Sequence, residues 1–278
     1  MKKLLFFFIL LLTAIDSQAQ NFEAGGIYYN ITSTEELTVA VAYSKSMYSG
    51  TVVIPENVTY DGVTYSVTAI SDYAFYYCQE LVSVSIPNSV VTIGEGAFSI
   101  STLPSIIIPN SVTSIGKGAF EGCDELISVT ISNNVTIIDS YVFAGCGFTS
   151  IIIPDGVTTV SSSAFSGCTA LKDVYCLAES VPNTDADSFY GVKHSSITLH
   201  VPTASFQAYS TTEPWSKFGQ IVTIDDGDGI EQLASEERNS FFIHPTVYDF
   251  VGRRMTKTQK GINLLRNADG RVKKVLQK

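Results

Sequence analysis

An internal repeat constrains this chain more than any other feature of its sequence. A small residue followed by Phe recurs at steps of 22 to 24 residues. Such a period is typical of repeat proteins, in which one short unit stacks on the next. The copies are Ala74-Phe75, Ala97-Phe98, Ala119-Phe120, Val142-Phe143, Ala164-Phe165 and Ser188-Phe189.

Other positions repeat in step with the Phe. In five copies a Cys or Ser lies three residues after it, and a Leu or Phe follows within the next three residues. In four copies an apolar strand then ends in Ile-Pro or Ile-Ser. One such unit cannot bury its own apolar edge, whereas stacked units share a continuous core. The pattern therefore predicts coils stacked at strand spacing, about 4.8 Å, with ladders of Phe, Cys, Leu and Ile or Val facing inward.

The most complete copy reads Ile-Gly-x-x-Ala-Phe-x-x-Cys-x-x-Leu-x-x-Val-x-Ile from Ile115 to Ile131, with Ser132 where other copies have Pro. This signature resembles the BspA-like leucine-rich repeat family of bacterial surface and secreted proteins, and the resemblance extends from Val67 to about Pro202. It implies a mainly β fold, a leucine-rich repeat solenoid of about 22–23-residue coils. Each coil would have one short strand and a turn or short helical piece near its Ala-Phe pair.

A solenoid needs caps, because its terminal coils would otherwise expose apolar faces. Residues 20–66 alternate as strands and contain the hairpin signal Asp61-Gly62, so they are predicted to form an N-terminal β cap. The solenoid itself is expected at 67–202. Residues 203–230 are predicted to form a C-terminal cap and linker, with a short helix between Ala204 and Phe218.

Residues 1–19 have the layout of a secretory signal peptide. Lys2 and Lys3 precede an apolar run from Leu4 to Leu12, and the small-residue site Ser17-Gln18-Ala19 follows. Nine apolar residues are short of the ~20 needed to span a bilayer, which disfavours an uncleaved anchor. We expect cleavage after Ala19, a mature chain without a transmembrane segment, and a secreted or outer-surface location.

Charge divides the chain into an acidic body and a basic end. Residues 20–244 contain 24 acidic and 6 basic side chains, whereas residues 245–278 contain 2 acidic and 9 basic ones. The acidic body disfavours nucleic acid as a partner, because phosphates would be repelled. In the basic end the charged residues alternate with apolar ones, which favours a small folded strand unit.

The tail at 231–278 resembles the C-terminal tails of bacterial proteins exported through the type IX (Por) outer-membrane route. The matching residues are Tyr248-Asp249-x-x-Gly252-Arg253-Arg254 and Lys260-Gly261-Ile262. Ile262-Asn263-Leu264 departs from the commoner Ile-Tyr-Ile. The resemblance implies an export machinery as a partner. A small β unit with no sorting role is the alternative.

Residue types that carry catalysis or bind metals form no recognisable pattern. His194, His200 and His244 match no common zinc spacing, and all three are predicted to be surface residues. The sequence has no Gly-x-Ser-x-Gly elbow, no phosphate-binding glycine loop and no cysteine with a plausible His partner. The run Asp225–Gly229 fails the EF-hand pattern and leaves only a weak calcium contact open. We expect a non-enzymatic protein without cofactor or metal.

The five cysteines are interpreted as structural. Cys123, Cys146 and Cys168 occupy successive coils, where parallel side chains pointing into a packed core favour free thiols that act as small hydrophobic groups. An odd number also leaves at least one cysteine unpaired in a monomer.

The outward positions of the strands provide the candidate site. Side chains alternate along a strand, so two rows should face away from the core. Ile107 and Ile152 are apolar where solvent alone would favour polar residues, which favours a protein-binding face, although ordinary β-forming residues on an exposed sheet would give the same pattern. The rows are Ser83, Ser105, Ser128, Ser150 and Asp173, and Ser85, Ile107, Thr130, Ile152 and Tyr175.

For function, the resemblance implies an adhesin-like module that binds host matrix or other cell-surface proteins. Two alternatives stay open. A glycan-binding or nutrient-capture protein would use tyrosines as stacking platforms, since nine of the 14 Tyr lie between Tyr28 and Tyr77, although such a cluster is more often a half-buried cap. A structural envelope protein would have no specific ligand.

Overall fold

The structure is a computed structural model that describes residues 21–224 and four strands between residues 246 and 277. The predicted signal peptide at 1–19, the run Asp225–Gly229 and much of the predicted tail lie outside the described residues. The described part is mainly β, with stacked coils about 23 residues apart and one six-residue α-helix. This confirms the fold class expected from the repeat.

A small sheet leads into the stack at its N-terminal end. Its region contains β1 (Asn21–Ala24), β2 (Ile27–Ser33), β3 (Thr38–Val41), β4 (Ser49–Val53), β5 (Asn57–Tyr60) and β6 (Val63–Ile70). β1, β2 and β3 pair antiparallel, and β5 pairs antiparallel with β6 through the predicted turn at Asp61-Gly62. Both turn residues have positive φ, 50° and 78°, as a two-residue hairpin loop requires. β6 also pairs in parallel with β3 on one side and with the first short strand of the coils, Thr92–Ile93, on the other, so the sheet continues into the stack.

Each coil has two strand positions. The longer strands are β7 (Glu80–Ser85), β9 (Ser105–Ile107), β11 (Ser128–Thr130), β13 (Ser150–Ile153), β15 (Asp173–Cys176) and β17 (Thr198–Pro202). Two-residue strands lie between them: β8 (Thr92–Ile93), β10 (Ser114–Ile115), β12 (Ile137–Ile138), β14 (Thr159–Val160) and β16 (Asn183–Thr184). Pairing between coils is parallel in both rows, as between β9 and β11 and between β12 and β14. The second strand adds to the single strand expected per coil, because two residues are too few to display an alternating pattern.

Phenylalanines stack along the interior. Each ring of this ladder is fully buried, neighbouring centroids are 4.8 to 5.7 Å apart, and the ring planes differ by 15° or less. Tyr48 continues the ladder 4.7 Å from Phe75, and Trp215 meets Phe189 edge-on at the other end. The inward direction predicted for the Phe column is confirmed. The rings are Phe75, Phe98, Phe120, Phe143, Phe165 and Phe189.

The cysteines are buried as free thiols. The S–H of Cys146 donates to the carbonyl oxygen of Phe120, one coil earlier, at 3.3 Å. Cys123 and Cys168 donate equivalent bonds to the carbonyl oxygens of Phe98 and Phe143, again one coil earlier. Burial raises the pKa of the Cys168 thiol to about 12 and that of the Cys146 thiol well above its usual range. The thiols therefore stay protonated and serve as small, hydrogen-bonded core groups.

The C-terminal end of the stack is closed by α1 (Phe206–Thr211) and the segment after it. Tyr209 and Trp215 are fully buried there. β18 (Gln220–Ile224) then pairs in parallel with β17. The α-helix is shorter than the helix predicted at 204–218, because 3-10 turns flank it. The 3-10 helices span His194–Ser196, Thr203–Ser205 and Trp215–Lys217.

The basic end of the chain forms a separate antiparallel sheet. Its strands are β19 (Thr246–Tyr248), β20 (Arg254–Met255), β21 (Gly261–Arg266) and β22 (Val272–Gln277). β19 pairs with both β20 and β21, and β21 pairs with β22. The strand unit predicted from the alternation of basic and apolar residues is therefore present.

Candidate binding face

The longer strands of successive coils present one outward surface, which we call the sheet face. Side chains alternate between buried and half-exposed along each strand, as expected of a strand between core and solvent. In β13, Ile151 and Ile153 are buried, whereas Ile152 between them is half-exposed. The sheet face consists of the ten predicted residues, all half-exposed: Ser83, Ser85, Ser105, Ile107, Ser128, Thr130, Ser150, Ile152, Asp173 and Tyr175.

Parallel pairing arranges these residues in two rows that run along the stack. Ser105 pairs with Ser128 in one row, and Ile152 pairs with Tyr175 in the other. β7 lies beside β9 and β11 lies beside β13, so the rows continue across these strands as well. The structure places all ten residues on the outward side, as alternation predicted, while their role in binding stays a prediction.

The rows extend past the predicted residues at both ends. In β4, Thr51 pairs with Ser83 and accepts a hydrogen bond from its hydroxyl at 3.1 Å, and Val53 is 59% exposed. In β17, His200 pairs with Tyr175 and continues the second row. Sequence reasoning missed these residues because the repeat pattern is complete only in the coils between the two strands. The alternation within each strand is the signal that could have found them.

A compact cluster marks the C-terminal half of the sheet face. The imidazole of His200 stacks on the ring of Tyr175, with centroids 4.0 Å apart and 13° between the planes. Its Nε2 lies 2.9 Å from Oδ1 of Asp173, and the two side chains are 20% and 40% exposed. These three side chains form a compact polar cluster that is partly exposed to solvent. His200 was predicted to be a surface residue, and its contacts come from the preceding coil, which no single copy of the repeat encodes.

Hydroxyl and aliphatic side chains make up the rest of the sheet face. Hydroxyl groups both donate and accept hydrogen bonds, so rows of Ser and Thr can pair with either donors or acceptors of a partner. Ile107 and Ile152 add apolar contact area at half-exposed positions. Among the residues that the structure describes, no three His, Cys, Asp or Glu side chains come together as a metal site would require. This surface therefore offers many hydroxyl and aliphatic groups.

The sequence of the stack matches a known repeat family. Six copies of the BspA type leucine rich repeat region match at residues 53–172 and 136–214, which together span more than half of the chain. The chain belongs to the BspA-type leucine-rich repeat family. Proteins of this family are surface or secreted proteins, and the leucine-rich repeat solenoid is typically a non-enzymatic scaffold that suits protein binding. No helix in the described part of the chain is long and apolar enough to cross a bilayer.

Among solved structures, this BspA-type protein is similar to several bacterial proteins. The pneumococcal vaccine antigen PcpA is 16% identical, with 75% of this chain and 71% of PcpA covered and a TM-score of 0.48. A leucine-rich repeat protein from Bacteroides capillosus ATCC 29799 is 26% identical, with coverages of 56% and 97% and a TM-score of 0.37. The T. pallidum leucine-rich repeat protein TpLRR is 20% identical, with coverages of 74% and 84% and a TM-score of 0.43. No curated protein sequence matches the chain.

Proposed function

We propose that this BspA-type protein is a secreted or cell-surface adhesin-like module that binds host matrix or other cell-surface proteins through the sheet face. The observation that carries the proposal is the face itself, in which outward residues lie in register from coil to coil. Half-exposed Ile107 and Ile152 among hydroxyl side chains provide apolar contact at its centre. Membership of a repeat family of surface proteins supports a protein partner.

The size of the face also suits a protein partner. From β4 to β18, eight longer strands follow one another along the stack, and they include the sheet face and the strands that continue it at both ends. At a strand spacing of about 4.8 Å they span about 34 Å. This is the scale of a standard interface, which buries about 800 Å² on each partner. A partner that is flat or extended could therefore contact both rows at once.

We also propose how the protein reaches the surface. The signal peptide at 1–19 would start export, and the tail at 231–278 would direct type IX sorting. The motif in the tail supports this, and so does the separate antiparallel sheet that the basic end forms. The exported protein should begin at Gln20 by N-terminal sequencing. A chain truncated after Ile230 should fail to reach the cell surface, and normal surface display of that chain would reject the sorting role.

The binding proposal is tested by screening the purified protein against immobilised matrix proteins and complex glycans. The Ile107→Glu/Ile152→Glu variant should lose saturable binding to protein, because two carboxylates in the centre of an interface would be desolvated without partners. Ile137→Glu is the matched control, since Ile137 is 49% exposed but belongs to β12, outside the sheet face. Circular dichroism and urea unfolding should show that both variants are folded.

The possible results separate the candidate functions. Protein binding that the double variant retains would reject the sheet face as the site. Competition by soluble sugars would replace the protein partner with a glycan. A lack of binding across the whole panel would reject the adhesin and favour a structural role in the envelope.

A further inference from the structure

Three exposed tyrosines stand together on the turn between β6 and β7, outside the strands that form the sheet face. We call Tyr73, Tyr76 and Tyr77 the tyrosine ridge, and they are 45%, 38% and 48% exposed. The rings of Tyr73 and Tyr76 meet edge to face at 5.9 Å, and the centroids of Tyr76 and Tyr77 are 6.2 Å apart. One turn therefore carries a continuous aromatic surface.

Two of these tyrosines adopt a backbone conformation with positive φ, and six of the nine equivalent residues in the other coils are glycine. In the first five coils, the residue before the Ala-Phe or equivalent pair and the residue two after the Phe have positive φ. Tyr73 and Tyr77 occupy these positions in the first coil, with φ of 56° and 57°. The equivalent residues are Gly96, Gly118, Tyr141 and Ser163 in the first column, and Ile100, Gly122, Gly145, Gly167 and Gly191 in the second.

This conformation is costly for a residue that carries a Cβ. The tyrosine rings are about half exposed, so burial in the core offsets little of that cost. Strained residues of this kind cluster at functional sites, where the surroundings hold them in place. The strain at Tyr73 and Tyr77 therefore favours a role for the rings outside the fold.

The next coil holds Tyr73 in a defined position. Its ring lies against Gly96, where a Cβ would be only 2.5 Å from Cε1 of Tyr73. The Tyr73 hydroxyl donates to Oε1 of Glu95 at 3.0 Å, and the backbone N–H of Glu95 donates to Oδ1 of Asp72 at 2.7 Å. Glycine leaves room for the ring, and the hydrogen bonds fix its outer end. The ridge is thus preformed, with two carboxylates at its edge.

The ridge is acidic as well as aromatic. The hydrogen bond to Glu95 is the main cause that raises the pKa of the Tyr73 hydroxyl, and the negative charges of Glu95, Asp72 and Glu121 add to it. The described body that carries the ridge, residues 21–224, contains 18 acidic and 5 basic side chains. Aromatic faces and carboxylates attract the same kind of group, a cation.

The stack already pairs a cation with a tyrosine on this surface. Nζ of Lys117 lies 5.6 Å from the centroid of the Tyr141 ring. Lys117 follows Asp72 and Glu95 in the same column, as the backbone hydrogen bonds between consecutive turns show. In the first two coils this column holds carboxylates instead of lysine. The first two coils therefore supply rings and carboxylates without a lysine in this column.

We propose that the tyrosine ridge, together with Asp72 and Glu95, binds a lysine- or arginine-rich segment of a partner protein. The alkyl stems of such side chains lie on the tyrosine rings. Their charged ends lie over the ring faces, where they also pair with the carboxylates. A neutral sugar would use the rings but would gain nothing from the negative charge. The ridge is a second binding surface, and it does not depend on the function proposed for the sheet face.

Fluorescence anisotropy with the mature full-length protein tests this proposal. The probe is a short labelled peptide of alternating arginine and glycine, and the matched probe has citrulline in place of arginine, which removes the charge and keeps the shape. We expect saturable binding of the arginine peptide that weakens with salt, and at least about tenfold weaker binding of the citrulline peptide. Equal binding of the two peptides would overturn the proposal, and so would tighter binding of neutral oligosaccharides.

The Tyr73→Gly/Tyr77→Gly variant separates binding from folding. Glycine adopts positive φ without strain, so this variant should melt at or above the wild-type temperature, while its affinity for the arginine peptide falls at least about tenfold. Tyr190→Ala is the matched control, because Tyr190 is 72% exposed and lies in the last Phe-containing coil. Its affinity should equal that of the wild type.

Three results with these variants would count against the ridge. Unchanged peptide affinity in the Tyr73→Gly/Tyr77→Gly variant would show that peptides bind elsewhere on the acidic body. An equal loss of peptide affinity in Tyr190→Ala would show that any exposed tyrosine can bind the peptide. A lower melting temperature of the double variant would show that the two tyrosines serve the fold.

Discussion

The inside and the outside of the same coils follow different rules. Inside, Phe recurs in six coils at matching positions, and every copy is fully buried. Outside, one row of the sheet face runs from Ser85 through Ile107, Thr130 and Ile152 to Tyr175. Each inward side chain packs against the coils on both sides, so a change is felt by two neighbours. An outward side chain meets its row neighbours only on one side of the sheet and is otherwise open to solvent, so packing restricts its identity less.

In a repeat protein, constant and variable columns carry different information. Columns that stay constant report the packing of the stack, and columns that change report candidate binding surfaces. The tyrosine ridge fits the second class, because Tyr77 breaks a column in which glycine is the commonest residue and the column of Tyr73 varies among Tyr, Gly and Ser. Four predictions test whether the distinction holds.

The largest effect is expected in the Phe ladder. Phe120→Ala should lower the free energy of unfolding by about 3–5 kcal/mol, because it removes a fully buried ring and leaves a cavity between two coils. Urea unfolding measures the change, and Phe120→Leu should cost less because it refills part of the space. A loss below about 1 kcal/mol would mean that the inward column does not hold the stack together.

Neighbouring isoleucines on β13 provide the most direct comparison of inside with outside. Ile151 is 1% exposed and Ile152 is half-exposed, although the two are consecutive and of one residue type. Ile151→Ala should cost about 2–5 kcal/mol in urea unfolding, and Ile152→Ala should cost less than about 1 kcal/mol. Equal losses would contradict the separation of the two faces.

Close backbone contact between coils should produce an intermediate effect. A Cβ on Gly116 would lie 2.6 Å from the backbone N of Glu95 and 2.7 Å from the carbonyl carbon of Gly94. Gly116→Ala should therefore push two coils apart and cost about 1–3 kcal/mol. Ser161, which takes the equivalent place in a later coil, already carries a Cβ, so Ser161→Ala should change stability by less than about 0.5 kcal/mol. Thermal melting of both variants measures the difference.

The smallest effect is expected from a thiol reagent on the native protein. Burial raises the pKa of the Cys168 and Cys146 thiols, so both stay protonated at about pH 8, where only the thiolate reacts. Ellman's reagent should give almost no colour with folded protein and should detect five thiols per chain after denaturation. Fast reaction of the folded protein would show that the cysteine column opens to solvent.

The period of the stack, the inward columns of Phe and Cys and the outward direction of the ten sheet-face residues were all predictable from sequence spacing. Spacing along one coil encodes all of these, because a strand alternates its side chains and equal coils stack equal residues. The turn at Asp61-Gly62 was also predictable, since its conformation depends on neighbouring residues alone.

Only the tertiary structure decided which residues of different coils meet. The two-residue strands, the stacking of His200 on Tyr175 and the placement of Tyr73 over Gly96 all depend on the register between coils. That register comes from the packing of the whole core, to which every coil contributes. No pattern within a single coil predicts the register between coils. The surfaces proposed to bind partners depend on that register.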